Sequence, residues 1–148
     1  MNERTQRLYA RIADLRAAQS GQRVNQALDA VRLARHDLQR NLEQRSSHTE
    51  QVHHQLARGG SPALAALEFH HHLHATQQET LLKQTLQQTE QRLDEARHTQ
   101  QESMKTQKSA EKMAEQIDLE KRLRRNRREQ LGQDDLAGIY PALELLTA

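Results

Sequence analysis

Histidines are the residues of this sequence whose type and spacing most resemble a chemical site. The stretch from Phe69 to His74 holds four of them, and His70 and His74 lie one helical turn apart, a common spacing for metal ligands on a helix. The chain has neither a His-Glu-x-x-His pattern nor a cysteine to complete such a site. We therefore expect a solvated histidine patch and no resident metal or other cofactor. Adventitious nickel or zinc binding and a pH-sensitive patch are the alternatives.

The sequence contains none of the common catalytic motifs. Glycine-rich phosphate loops and Gly-x-Ser-x-Gly elbows are both missing. Acidic and basic residues are numerous, but catalytic groups need a desolvated cleft that shifts their pKa values. A pair of helices offers no such cleft, so we predict that the protein is not an enzyme.

A dense basic segment is the third candidate for function. It contains six cations in eight residues with no acid among them, and these six are named here the basic collar: Lys121, Arg122, Arg124, Arg125, Arg127 and Arg128. The collar is interpreted either as a solvated helix end that complements the C-terminal dipole, or as a docking site for an acidic protein surface or for phosphates. Because no aromatic residue is interleaved for base stacking, nucleic acid is not expected as a partner.

Composition indicates that long helices must position these residues. Only 34% of the 148 residues are hydrophobic, against roughly 45–50% in typical globular domains, and three are aromatic. A compact core depends on large apolar side chains, so a helical rod or a disordered chain is favoured. No apolar run approaches the length of a membrane span, and no Sec signal is recognisable. Cytoplasmic localisation is therefore expected.

Apolar residues recur at alternating spacings of four and three, which is typical of a coiled-coil seam and favours helix over disorder. The alternation shifts phase near Gly21 and again near Gln78, which rewinds a supercoil without breaking the helix. The predicted seam residues are Leu8, Ile12, Leu15, Val24, Leu28, Val31, Leu38, Leu42, Val52, Leu56, Leu64, Leu67, Leu82, Leu86, Leu93, Ala96, Ala110 and Ile117.

The strongest break in the sequence is Gly59-Gly60-Ser61-Pro62. Glycine ends a helix, serine caps the next one, and proline suits its first position. The sequence therefore predicts a first helix over 2–57, a turn over 58–62 and a second helix over 62–131. The tail, 132–148, is predicted to be either disordered or an apolar segment that orders on a partner.

A short connection makes consecutive helices antiparallel neighbours. A turn centred near Gly60 makes residue i face approximately residue 120 − i, which pairs apolar residues along most of the chain and leaves an overhang from about Asp118. The predicted fold class is all-α, a long two-helix antiparallel coiled-coil hairpin with a C-terminal overhang. Such helices would be about 80 and about 105 Å long.

The C-terminal part of the second helix resembles the charged end of the FliJ/YscO/HrpO family of stalk proteins. The resemblance lies in basic residues that precede a Glu-Gln and an acidic pair, from Glu120-Lys121-Arg122 to Arg127-Arg128-Glu129-Gln130-Leu131-Gly132-Gln133-Asp134-Asp135-Leu136-Ala137. It implies a non-catalytic central stalk of a bacterial flagellar or type III secretion ATPase, peripheral at the membrane-bound apparatus.

The partners that the resemblance implies are a hexameric secretion ATPase, an export gate protein and export chaperones. The basic collar would face the ATPase, while the Gly59-Gly60 turn and the first helix would contact the gate or a chaperone. The alternative function is a generic coiled-coil adaptor or export chaperone that binds partner helices.

Overall fold

Two α-helices make up nearly all of the chain. The computed structural model describes residues 2–147, and within that range helix α1 spans Glu3–Ala57, helix α2 spans Pro62–Thr147 and there is no strand. The two long helices contact each other, which confirms the predicted all-α, two-helix class. The chain divides into two compact units: a turn unit over 17–103, and a terminal unit formed by residues up to Arg16 and from Met104 onward.

The turn between the helices is built from local chemistry. Gly59 has φ of +99°, a conformation that L side chains rarely adopt, and its N–H donates to the Leu56 carbonyl at 3.2 Å. Ser61 Oγ accepts a hydrogen bond from the Leu64 N–H at 3.3 Å and so caps α2. Proline then takes the first position of α2, where no intrahelical N–H bond is lost.

The core of the turn unit is a small apolar seam between antiparallel stretches of α1 and α2. Val24, Val31 and Leu93 are buried, and four partly buried residues pack against them: Ala27, Leu28, Leu86 and Ala96. This cluster joins Val24 and Leu28 to Leu93 and Ala96, in agreement with the 120 − i register. Van der Waals packing and burial of these few side chains hold the two helices together.

From the apolar cluster toward the turn, charged residues form contacts across the two helices. Arg45, only 25% exposed at its side chain, pairs with Glu79 across the helices, and Lys83 Nζ lies 2.6 Å from the same carboxylate. Lys83 donates a hydrogen bond that lowers the pKa of Glu79, and the charges of Lys83 and Arg45 lower it further against the opposing effect of desolvation. Arg35 Nη2 lies 3.1 Å from Glu90 Oε1, an exposed pair that contributes little.

On α1, the seam of the terminal unit has a different phase from the predicted one. Ala13 is 2% exposed and Ala110 4%, whereas Leu8, Ile12 and Leu15 are between 46 and 56% exposed. The predicted assignment of these three residues to the seam is therefore wrong. Small side chains allow two helix backbones to approach closely, so the alanine face of α1 packs inward and the larger residues lie outside.

The predicted phase shift near Gly21 does not occur either. In the turn unit, Ala17, Ser20 and Val24 already follow the alternation of three and four, and Ser20 is buried at 3% exposure. Its hydroxyl donates to the Ala17 carbonyl at 2.8 Å, so its burial leaves no polar group without a partner. The seam starts with small residues here rather than with leucines.

Three further predicted seam residues lie at the edge of the seam or outside it. Leu42 is 41% exposed, Leu56 37% and Leu67 62%. At this point of α2 the neighbouring residue Glu68, rather than Leu67, contacts α1, where it lies against His48. The other predicted seam residues are buried or half-buried: Val24, Leu28, Val31, Leu38, Val52, Leu64, Leu82, Leu86, Leu93, Ala96, Ala110 and Ile117.

Helix α2 continues to Thr147, well beyond the predicted end at Leu131. Gly132 is not a stop because it lacks the positive φ of a helix-ending glycine; among residues 2–147 only Gly59 has it. Glycine inside a helix costs roughly 1 kcal/mol without breaking it. Pro141 also lies within α2, where it removes one backbone donor in a solvent-exposed stretch.

Candidate functional site

The terminal unit is fastened by an ion pair that connects α1 to the first residue of the basic collar. Lys121 Nζ lies 2.7 Å from Glu3 Oε1, and Arg7 Nη2 lies 2.6 Å from the same oxygen. The hydrogen bond from Lys121, followed by the charges of Lys121 and Arg7, holds the pKa of Glu3 below its ordinary value of 4.5. The contact between the helices in this unit therefore reaches Lys121, three residues beyond the predicted start of the overhang.

A shallow groove runs between the two helices just before this ion pair. Its apolar lining includes Ala10, Ala110, Ala114 and Ile117, and the paired residues Glu3 and Lys121 line it as well. Farther along, Gln107 Nε2 donates to Asp14 Oδ1 at 2.9 Å. The apolar contacts between the helices and the Gln107–Asp14 hydrogen bond set the rotation of α2 about its axis. They therefore determine which face of α2 points away from α1.

The collar residues after Lys121 project into solvent around a continuous helix. All are exposed, and Arg124 lies 3.7 Å from Glu120 one turn earlier. In the part of the chain that the structure describes, four collar arginines form no ion pair: Arg122, Arg125, Arg127 and Arg128. Four unneutralised guanidinium groups thus lie within two turns of helix, where they attract carboxylates or other anions.

The position of the collar excludes one interpretation of it. The last turn of α2 contains no basic residue, and Arg128 lies about five turns before Thr147. The helix dipole acts only on charges within the last turn. The collar is therefore not a cap on the C-terminus of α2, and the docking interpretations stay as predictions.

Glu3 and Glu68 are contact residues that the sequence reasoning missed. The 120 − i register places residue 3 opposite residue 117 and residue 48 opposite residue 72, each one turn from the observed partner. Opposite charges one turn apart in this register are a signal available in the sequence. Pairing only the apolar residues across the helices overlooks that signal.

The histidine patch lies in the turn unit, where His48 of α1 meets α2. The ring of His48 is 4.6 Å from that of His71, and its Nε2 lies 3.1 Å from Glu68 Oε2 without a hydrogen bond. His70 and His74 are exposed on α2, and His74 pairs with Gln78 at 3.1 Å. Within residues 2–147, no three His, Asp or Glu side chains are arranged to hold a metal ion.

Neither helix, over the described range 2–147, has an apolar stretch long enough to cross a membrane. The carboxylates of Glu3 and Glu79 both have lowered pKa values, and each lies against one cation of its own helix and one of the other helix. A lowered carboxylate pKa that arises from an ion pair is typical of a structural contact.

Comparison with known families identifies the class of protein to which this fold and its exposed collar belong. The family described as the flagellar FliJ protein matches residues 8–142, nearly the whole chain. The chain belongs to the FliJ family, whose members are bacterial, non-catalytic components of flagellar and type III protein export. No curated protein and no solved structure matches it.

Proposed function

We propose that this protein is the non-catalytic central stalk of a flagellar or type III export ATPase. In this role the end of the chain that contains the collar docks in the pore of the ATPase hexamer. The observation that carries the proposal is the set of four unpaired arginines on one continuous, exposed helix: Arg122, Arg125, Arg127 and Arg128.

Charge explains how such a helix would recognise its partner. The five arginines of the collar project from several sides of the helix, so an enclosing acidic rim is contacted in more than one orientation. Guanidinium groups bind carboxylates through paired hydrogen bonds, and such contacts orient a partner. Attraction of this kind is long-ranged at low salt and weakens as salt is added.

The test is reversal of charge in the collar followed by an assay of the cognate ATPase. We expect the variant with the four unpaired arginines Arg122, Arg125, Arg127 and Arg128 all changed to Glu to lose stimulation of ATP hydrolysis. Binding should weaken by at least about tenfold, since each lost charge-assisted contact contributes more than 1 kcal/mol.

A matched control separates the collar from general charge. Arg23, Arg32, Arg40 and Arg92 are exposed arginines of the turn unit, and their change to Glu alters net charge by the same amount. This control variant should stimulate the ATPase as the natural chain does. Full stimulation by the collar variant would contradict the proposed docking.

We propose that the turn unit contacts the export gate protein. This agrees with the family resemblance, which implies gate or chaperone contacts for the turn and the first helix. Leu33 and Leu42 of α1 are exposed there at 62 and 41%. Changing both to Ser should weaken co-purification with the gate protein while ATPase stimulation stays unchanged. Loss of both activities together would indicate a folding defect, which circular dichroism would detect.

Export chaperones are the third proposed class of partner, and peripheral location at the membrane-bound apparatus follows from the gate contact. The competing function is a coiled-coil adaptor that binds partner helices without an ATPase. It predicts that the collar variant retains every interaction of the natural chain.

A further inference from the structure

The three aliphatic residues of α1 that were wrongly assigned to the seam lie together on its solvent-exposed face. Leu8, Ile12 and Leu15 are 53, 46 and 56% exposed and lie on the face of α1 opposite the seam residues Ala10 and Ala13. These three side chains are named here the outer stripe. Their spacing of four and then three is the repeat by which helices interlock, so the outer stripe matches a second seam rather than scattered surface residues.

The flanks of the outer stripe are basic. Arg4 and Arg11 lie along one edge and Arg16 along the other, and none of them forms an ion pair within residues 2–147. Arg4, Arg11 and Leu8 line one shallow surface groove with Arg7 and Glu3. Glu3 is already engaged by Arg7 and Lys121, and Asp14 accepts a bond from Gln107.

We propose that the outer stripe is a docking site for an acidic amphipathic helix of another protein. Such a helix would place apolar residues between Leu8, Ile12 and Leu15, and its glutamates or aspartates would pair with Arg4, Arg11 and Arg16. Flanking charges of opposite sign select partner and orientation in coiled coils. The residues that form this site differ from those of the basic collar, and the proposal does not depend on the proposed ATPase contact.

Two other occupants fit the surface less well. A second copy that pairs through the same stripe brings arginine against arginine, because a two-fold interface repeats the same surface on both sides. A lipid surface would receive only three aliphatic side chains without tryptophan or phenylalanine, and the stripe is a narrow heptad seam rather than a broad apolar face.

The experiment measures binding of a designed peptide to the full chain by fluorescence anisotropy. The probe is a fluorescein-labelled helical peptide with leucine at its a and d positions and glutamate at e and g. A matched peptide has lysine at e and g. We expect the chain to bind the glutamate peptide, to reject the lysine peptide, and to lose affinity as salt increases.

Variants of the chain test whether the peptide binds at the outer stripe. Changing Leu8, Ile12 and Leu15 together to Ser should weaken binding at least about tenfold. Changing Arg4, Arg11 and Arg16 to Gln should remove the preference for glutamate over lysine. The control changes the equally exposed Leu67, Leu73 and Leu81 to Ser and should leave binding unaltered. All the substituted residues are exposed, so unchanged helicity by circular dichroism is expected.

Three results would overturn the proposal. One is equal binding of the two peptides, which would show that the arginines select nothing. Another is binding that survives the serine substitutions in the stripe. The third is binding of the chain through Leu8, Ile12 and Leu15 to vesicles of mixed phosphatidylglycerol and phosphatidylcholine, or to itself in sedimentation equilibrium, with no affinity for the glutamate peptide.

Discussion

Two glycines in this chain show how the same residue type has opposite effects in different backbone conformations. Gly59 adopts φ of +99° in the turn, whereas Gly132 lies inside α2, where an added Cβ atom would meet nothing within 4 Å beyond its chain neighbours and the backbone of its own helix. An alanine is strained at the first site and favoured at the second. We expect Gly59→Ala to lower the free energy of unfolding by about 1 kcal/mol.

Gly132→Ala is the matched variant and should raise the helix content of the C-terminal part of α2 by removing backbone freedom from the unfolded chain. Urea unfolding followed by circular dichroism measures both variants. If Gly59→Ala were as stable as the natural chain, the left-handed conformation of the turn would be contradicted.

The carboxylates of Glu3 and Glu79 make stability depend on acidity. Both have pKa values below 4.5 in the folded chain, so their contribution is fully present above that pH. It is lost as the pH falls through the lowered pKa values, because the folded state then has to take up protons that the unfolded state already holds. The melting temperature should therefore fall as the pH is lowered below about 4.5.

Glu79→Gln tests this prediction, since it removes the charge that Lys83 and Arg45 hold. The variant should melt at a lower temperature at neutral pH and show a shallower decline in acid. Glu95, an exposed residue of α2 in the same unit, provides the control variant Glu95→Gln. Parallel pH profiles for the natural chain and Glu79→Gln would argue against the cross-helix pair.

At the scale of the helix, the face that α1 buries in the terminal unit decides which substitutions are tolerated. Ala13 is in close contact with α2, so Ala13→Leu should overpack the seam and destabilise the chain by about 1–3 kcal/mol despite greater hydrophobicity. Leu15→Gln removes an exposed side chain and should change stability by less than about 0.5 kcal/mol.

Thermal unfolding of the two variants discriminates the two possible phases of the seam. With Leu15 in the seam the order of their effects would be reversed, because Leu15→Gln would then bury an amide and Ala13→Leu would lie in solvent. The comparison needs no partner protein.

At the scale of the whole molecule, the stalk function and the adaptor function differ in the state of the free chain. A stalk that enters a single pore acts as one copy, whereas an adaptor that binds helices through its seam is expected to dimerise. We expect sedimentation equilibrium to give the monomer mass of 17.1 kDa across concentrations. A dimer that dissociates on dilution would instead favour the adaptor.

The sequence alone was sufficient for the features that local chemistry controls. Gly59 and Ser61 break the chain into two helices through a left-handed residue and a cap, and apolar residues such as Val24 and Leu93 recur with a helical repeat. Around Val24, Val31 and Leu93 the heptad repeat also indicated which residues pair, because the aliphatic residues there recur on one face of each helix.

Only the tertiary structure decided which face of α1 enters the seam in the terminal unit and how far α2 extends. Residues 6–15 carry two faces with the same repeat, one of alanines and one of larger aliphatic residues, and periodicity does not state which face packs inward. Close approach of the backbones selects the alanines. It leaves Leu8, Ile12 and Leu15 outside, flanked by arginines, where the sequence had suggested a core.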